Sequence, residues 1–287
     1  MIIAVAGDTH ANMSWVCSDV IPYAVKAGAQ KIVQVGDFGF IWPGTEQDKN
    51  LRKLNRSLDY VGLDLHFLPG NHEDHDGLLE FARTSQLSPE GHYEIGPRIF
   101  YTGRISSWTW AGVRMAAVGG AVSIDRQWRQ DEGRRSGTKL WWERERLDGN
   151  ELRDAREIGP VDVLFTHDAP TTFPETWLKA DLDSTAYRQA MTDVGRALTP
   201  RYWLHGHYHH YVRYAFPHDR HECDVISLDC DHSPRTKGVA ILDLAAIRNL
   251  PCAHWCRICP DIEGADPCDD CPDCTLSLAA AEDATWD

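Results

Sequence analysis

The chain has 287 residues, 43% hydrophobic and 25% charged, a balance suited to one large globular core, or one core plus a small appendage. A formal net charge of −14 and the absence of a basic stripe disfavour a grip on long duplex nucleic acid through its phosphates. No run of about 18 apolar residues occurs, so no membrane helix is expected, and the opening Met1-Ile2-Ile3-Ala4-Val5-Ala6 has no basic n-region of a signal peptide, so a cytoplasmic location is expected.

The first strand, over residues 2–6, runs into Gly7-Asp8-Thr9-His10. A helix is expected over residues 14–27, capped by Ser14 and kinked or restarted at Pro22. Lys31–Val35 reads as a strand ending in Gly36-Asp37-Phe38. In the helix expected over residues 46–61, Leu51, Leu54, Leu58 and Val61 share one face. The apolar run Leu65–Pro69 reads as a buried strand ending in Gly70-Asn71-His72-Glu73, with a short helix near residues 78–83.

A further strand over residues 112–118 feeds Gly119-Gly120-Ala121-Val122-Ser123-Ile124-Asp125-Arg126, and the segment after it carries Trp128, Trp141 and Trp142. Asp162–Phe165 ends in Thr166-His167-Asp168; a helix is expected over residues 184–198. Tyr202–Leu204 ends in His205-Gly206-His207-Tyr208-His209. The apolar runs Val225–Leu228 and Gly238–Leu244 read as an antiparallel hairpin. Alternating strands and helices argue for an α/β layered fold, the later strands forming a second sheet packed on the first.

Five strand ends thus carry Asp, Asn or His, and in such sheets ligands sit outside the carboxyl ends of the strands. Pairs at i, i+2, Asp8 with His10 and His207 with His209, point to one side of an extended backbone. Oxygen and imidazole donors without thiolates suit Mn²⁺, Fe, Zn²⁺, Co²⁺ or Ni²⁺ in an open site. The donors outnumber the needs of one ion, so two ions sharing a carboxylate are expected.

GDTH, GDF, GNHE, FTHDAP and HGHYH, in that order, resemble the signature of the calcineurin-like metallophosphoesterases over about residues 1–245. The resemblance implies a two-sheet βαβ sandwich flanked by helices. It places Asp8, His10 and His209 on a first metal, Asn71, His167 and His207 on a second, and Asp37 between them. It makes His72 the non-ligand catalytic histidine and puts Asn12 and Asn71 near the bound phosphate. Two divalent ions, Mn²⁺ foremost, would then clamp a phosphate and activate a bridging hydroxide for in-line attack, with His72 stabilising the oxyanions or protonating the leaving oxygen. His205 and His210 are not expected to be ligands.

After Asp37 the residues are Phe38-Gly39-Phe40-Ile41-Trp42, where the family's protein phosphatases carry an acid and Arg-Gly. A protein phosphatase is therefore disfavoured, and a carboxylate partner for His72 has to come from elsewhere, with Asp74 and Asp168 nearest in sequence. GGAVSIDRQWR followed by LWWERE is similar to a subgroup of small bacterial and phage metallophosphoesterases; Arg126 and Arg129 are candidates for holding a phosphate oxygen, and Trp128, Trp141 and Trp142 are candidates for stacking a base.

Six of the nine cysteines fall between Cys252 and Cys274, and from Pro260 onward there are nine acidic residues and no Lys or Arg. We read residues 1–248 as the catalytic domain and 249–287 as a Cys-rich acidic tail. Cys256 and Cys259 with Cys271 and Cys274, or with Cys268 and Cys271, have CxxC spacing for a structural Zn²⁺; a disordered tail fits the same composition. The function expected is hydrolysis of small phosphoesters, phosphodiesters first. The alternatives are a nuclease on short or single-stranded nucleic acid, and a catalytically idle metal-binding adaptor that meets a protein partner through its tail.

Overall fold

Period-two alternation in the strands sets the layers. In the computed structural model, which describes residues 1–44, 46–174, 182–217 and 222–248, two six-stranded sheets lie face to face. The first is built from β1 (Ile2–Ala6), β2 (Lys31–Gln34), β3 (Asp64–Phe67), β4 (Tyr93–Gly96), β5 (Ile99–Tyr101) and, at its far edge, β12 (Val239–Asp243), in the order β12-β1-β2-β3-β5-β4. The second contains β6 (Ile105–Trp110), β7 (Val113–Val118), β8 (Val163–Thr166), β9 (Tyr202–His205), β10 (Val212–Pro217) and β11 (Glu222–Ser227), in the order β10-β11-β9-β8-β7-β6.

Ile3 and Val5 of β1 face the space between the sheets with Met115, Ala117, Val163, Phe165 and Leu204. Ala4 and Ala6, one residue out of phase, turn to the outer layer of helices with Ile32, Leu54, Leu58 and Phe67. On the far side Ala116, Leu164 and Trp203 pack against Met191, Val194 and Leu198 of the helix Leu182–Leu198. The two-sheet sandwich flanked by helices is thus the architecture. No helix among the described residues is long and apolar enough to cross a membrane.

Two expectations change, while the restart expected at Pro22 is seen. The first helix begins one residue earlier than Ser14: Asn12 is the cap, its side chain accepting from the Trp15 N–H at 3.1 Å. A π-helical turn, Val16–Val20, then delivers Pro22 into the first turn of the helix Ile21–Lys26, where its missing N–H costs least. The segment after Asp125 forms a helix, Arg126–Ser136.

The second change is topological. The runs expected to pair as a terminal hairpin lie in different sheets: β12 pairs antiparallel with β1, whereas β11 lies parallel to β9 and antiparallel to β10. Neighbouring strands of one sheet must share the same two layers. Val239 belongs to the outer layer of the first sheet, and Cys223 and Val225 to that of the second, so a hairpin could not bury both sets. The link between these strands crosses the top of the sandwich. The tail, with Cys256, Cys259, Cys268, Cys271 and Cys274, lies outside the described residues.

Candidate functional site

The parallel neighbours β1, β2 and β3 in one sheet and β7, β8 and β9 in the other present their carboxyl ends to the same edge of the sandwich. There the chain is held in conformations it ordinarily avoids. Of the seven non-glycine residues with positive φ among the described residues, His10, Ala11, Asp37, His207 and His209 belong to this edge. Such strain persists only where surrounding contacts enforce it. Gly70 is required by proximity: a Cβ there would stand 2.2 Å from Asp37 Oδ1.

Two overlapping donor groups result. Asp8, His10, Asp37 and His209 each offer a ligand atom within 4.8 Å of the others; Asp37, His167 and His207 do the same. Asp37 is common to both. Its Oδ1 is 3.2 Å from His167 Nε2 and its Oδ2 is 3.7 Å from His10 Nε2, while His209 Nε2 lies 3.0 Å from Asp8 Oδ2. Asn71 joins the second group, its Oδ1 3.1 Å from His167 Nε2.

The electrostatics follow from two buried carboxylates among imidazoles. Burial opposes protonation of His167 and His10, but Asp37 and Asp8 outweigh it and raise them to about 10 and about 9. Burial likewise disfavours a charged Asp37, yet His167 and His72 hold it well below the usual carboxylate range. His207 is pushed down by burial and by His167. The residues fit divalent cations: carboxylate, amide and imidazole donors without a thiolate form an open hard-to-borderline donor set. Buried carboxylate charge there calls for positive charge beside it.

The groups behind these donors fix which atoms face inward. His167 Nδ1 donates to the Val35 carbonyl at 2.8 Å, leaving Nε2 toward the cluster. His10 Nδ1 meets Asp231 Oδ1 at 3.0 Å, and the other oxygen of Asp231 accepts from Asn12 Nδ2 at 2.8 Å. Asn12 is therefore engaged at both ends of its amide, as helix cap and as donor to Asp231. Asn71 Nδ2 donates to Ser123 Oγ at 3.0 Å, which turns its oxygen to the cluster. Ser123 in turn donates to Glu145 at 2.6 Å, and Arg129 reaches Ser123 Oγ at 2.7 Å and the Asn71 carbonyl. Glu73 is buried and accepts from the Gly70 and Gly39 N–H groups; burial and the nearby Asp37 push its carboxyl up to about 8.

His72 stands at the rim. Its backbone N–H donates to Asp37 Oδ1 at 2.7 Å. Its ring sits edge-on to His10 with centroids 6.0 Å apart and nearly parallel to Trp42. Burial lowers its pKa. Neither nearby acid partners it. Asp74 caps the helix His75–Thr84, and Asp168 accepts from the Tyr208 hydroxyl at 2.6 Å and the Ala169 N–H.

Arg126 is not drawn into this cluster. Its guanidinium lies 3.5 Å from Asp183 and 5.9 Å from the Trp141 ring centre; the arginine of that motif which turns inward is Arg129. Trp128 is 63% exposed and Trp142 is 2% exposed, the one facing outward and the other packed among side chains. His205 is buried against Tyr214, Nε2 to hydroxyl 2.9 Å, outside both donor groups; His210 is exposed. Asp231, Ser123 and Glu145 were not found as site residues by sequence reasoning, whereas Arg129 was expected on a phosphate oxygen and instead holds Ser123 and the Asn71 carbonyl. For Asp231 the signal existed: Leu228-Asp229-Cys230-Asp231 is one more apolar run closing on acids.

A family model described as calcineurin-like phosphoesterase matches residues 1–211. No curated protein matches the chain. Among solved structures, a Thermus thermophilus protein, TT1561, is 12% identical, with 85% of this chain and 98% of that chain covered and a TM-score of 0.49. A Staphylococcus aureus protein solved in complex with alpha-ketoglutarate is 11% identical over 85% of this chain and 51% of its own, TM-score 0.47. A phosphatase from Mycoplasma pneumoniae is 9% identical over 80% and 72%, TM-score 0.41.

Proposed function

Because this chain belongs to the calcineurin-like phosphoesterase family, we propose that it is a dinuclear metal-dependent hydrolase of small phosphoesters, with phosphodiesters preferred. The observation that carries this reading is the sharing of Asp37 between two donor groups. Asp8, His10 and His209 would hold one ion, Asn71, His167 and His207 the other, with Asp37 common to both. Such ions, when bound, supply Lewis-acid charge for the phosphate oxygens and lower the pKa of a water.

The protein's own part is positioning. His167 and His10 present Nε2 because Val35 and Asp231 hold their Nδ1 atoms. Asn71 contributes an oxygen without adding negative charge, which keeps the second position electrophilic. His72 is at the rim, and burial lowers its pKa and favours the neutral ring; it is placed to donate an N–H hydrogen bond to a phosphate oxygen, or, where a bound anion recharges it, a proton to the leaving oxygen.

The preference for diesters rests on charge. A monoester dianion asks for extra cationic side chains. Here Arg126 is engaged by Asp183, and Arg129 by the Leu140 and Asn71 carbonyls and Ser123. A singly charged diester needs less.

The test is turnover of bis(p-nitrophenyl) phosphate and p-nitrophenyl phosphate by Mn²⁺-loaded protein. The diester should be hydrolysed faster, and Asp37→Ala or Asn71→Ala should lower turnover by about a thousandfold or more, the scale of losing several kcal/mol of transition-state stabilisation. Full activity in either variant would sink the proposal, and a faster monoester reaction would remove the diester preference.

A further inference from the structure

A cavity of about 470 Å³ opens beside the donor cluster, and His10 and His72 form its inner end. It is lined by Phe40, Trp42, Pro43 and the backbone of Gly39 and Gly44, together with Glu46, Gln47 and Asn50. Volume and lining match a small-molecule site, apolar walls with a few placed polar groups. Since His10 is also a member of the donor group, a phosphate held there would direct one of its substituents into this space.

Trp42 is held as a platform. Its backbone N–H donates to Gln47 Oε1 at 3.1 Å, its ring meets Trp142 edge-on with centroids 5.6 Å apart, and the Arg129 guanidinium lies 5.7 Å from its centre. Its plane is only 21° from that of the His72 imidazole, with centroids 6.5 Å apart. The cavity therefore offers a fixed flat surface beside the reacting position. Asn50 adds an amide, which carries donor and acceptor side by side as the edge of a nucleobase does. The sequence pattern points to Trp128, Trp141 and Trp142 as stacking candidates; the tryptophan that borders this site is Trp42.

We propose that this cavity is the specificity subsite and binds a planar heteroaromatic substituent of the nucleoside type, stacked on Trp42 with Asn50 at its edge. The inference rests on the phosphoesterase reading of the adjoining cluster. It adds that this enzyme selects nucleoside phosphoesters over esters of simple alcohols.

The experiment compares two singly charged diester analogues, the methylphosphonate esters of adenosine and of methanol. Their binding to the Mn²⁺-loaded protein is measured by calorimetry. The wild type should bind the adenosine ester at least about tenfold more tightly, the scale of one base–aromatic stack. In Trp42→Ala that ratio should fall close to one with methyl-ester binding unchanged, Trp42→Phe should keep most of it, and Asn50→Ala should reduce it a few-fold. If Trp42→Ala loses the methyl ester as well, the Trp42→Phe and Asn50→Ala ratios decide. A wild-type ratio near one, or a ratio that survives these substitutions, overturns the subsite while leaving the phosphoesterase reading intact. Failure of both esters to bind the metal-loaded wild type would overturn both.

Discussion

At the scale of single residues, the site depends on side chains that touch no substrate. Asn71 turns its oxygen to the cluster because Ser123 Oγ accepts one of its amide hydrogens, and Ser123 is held between Glu145 and Arg129. Ser123→Ala should therefore weaken binding of one Mn²⁺ by about 10–100-fold, the usual cost of losing a group that orients a ligand, while the other ion binds as before. Metal titration by calorimetry checks this; equal weakening of both ions would show a general disturbance instead. Asp231→Asn should show the converse, weakening the ion that His10 serves. The ligands themselves were legible because each sits where an apolar run turns polar. Their supports were harder to read, because spacing carries no trace of proximity in space: Ser123 is 52 positions from Asn71, and Asp231, though it follows an apolar run, is 221 from His10.

At the scale of elements, most strands could be read as short apolar runs, and the ends of five of them located the site. The pairing of β11 and β12 could not, because two short apolar runs close in sequence look the same whether they share a sheet or divide between two. Only the layers they face separate them. The resulting crossover carries Asp231 to His10. Asn12 ties the same corner to a helix. Asn12→Ala should cost about 1 kcal/mol as a lost N-cap and lower the melting temperature by roughly 2–4 °C, read in a thermal melt. An unchanged melt would show that the cap contributes nothing. Gly70→Ala should abolish metal binding at the shared position, because its Cβ would meet Asp37 Oδ1 at 2.2 Å; metal titration of the folded variant tests this.

At the scale of the whole molecule, the sandwich buries titratable groups remote from the site. His66 and His92 are fully buried, share a hydrogen bond of 2.9 Å between their Nδ1 atoms, and sit among Phe100, Trp108 and Trp110. Burial pushes His92 down to about 4 and His66 well below its ordinary value. Unfolding releases them to a pKa near 6.5, so the unfolded chain binds more protons as pH falls. Stability from this pair is thus full above pH ~6.5 and is lost as pH falls through the lowered values, about 4 for His92, with about 3 kcal/mol at stake for that residue alone. Urea unfolding at a series of pH values should show that loss, and it should shrink in a His66→Leu, His92→Leu double variant. An unchanged slope would show that the pair does not set the acid limit.

Two ions held on either side of Asp37 would be magnetically coupled, and electron paramagnetic resonance of the Mn²⁺-titrated protein reads that coupling. The prediction is two ions bound with a spin-coupled spectrum in the wild type, and loss of the coupling in Asp37→Asn. A single bound ion, or two uncoupled ions indifferent to Asp37→Asn, would contradict it.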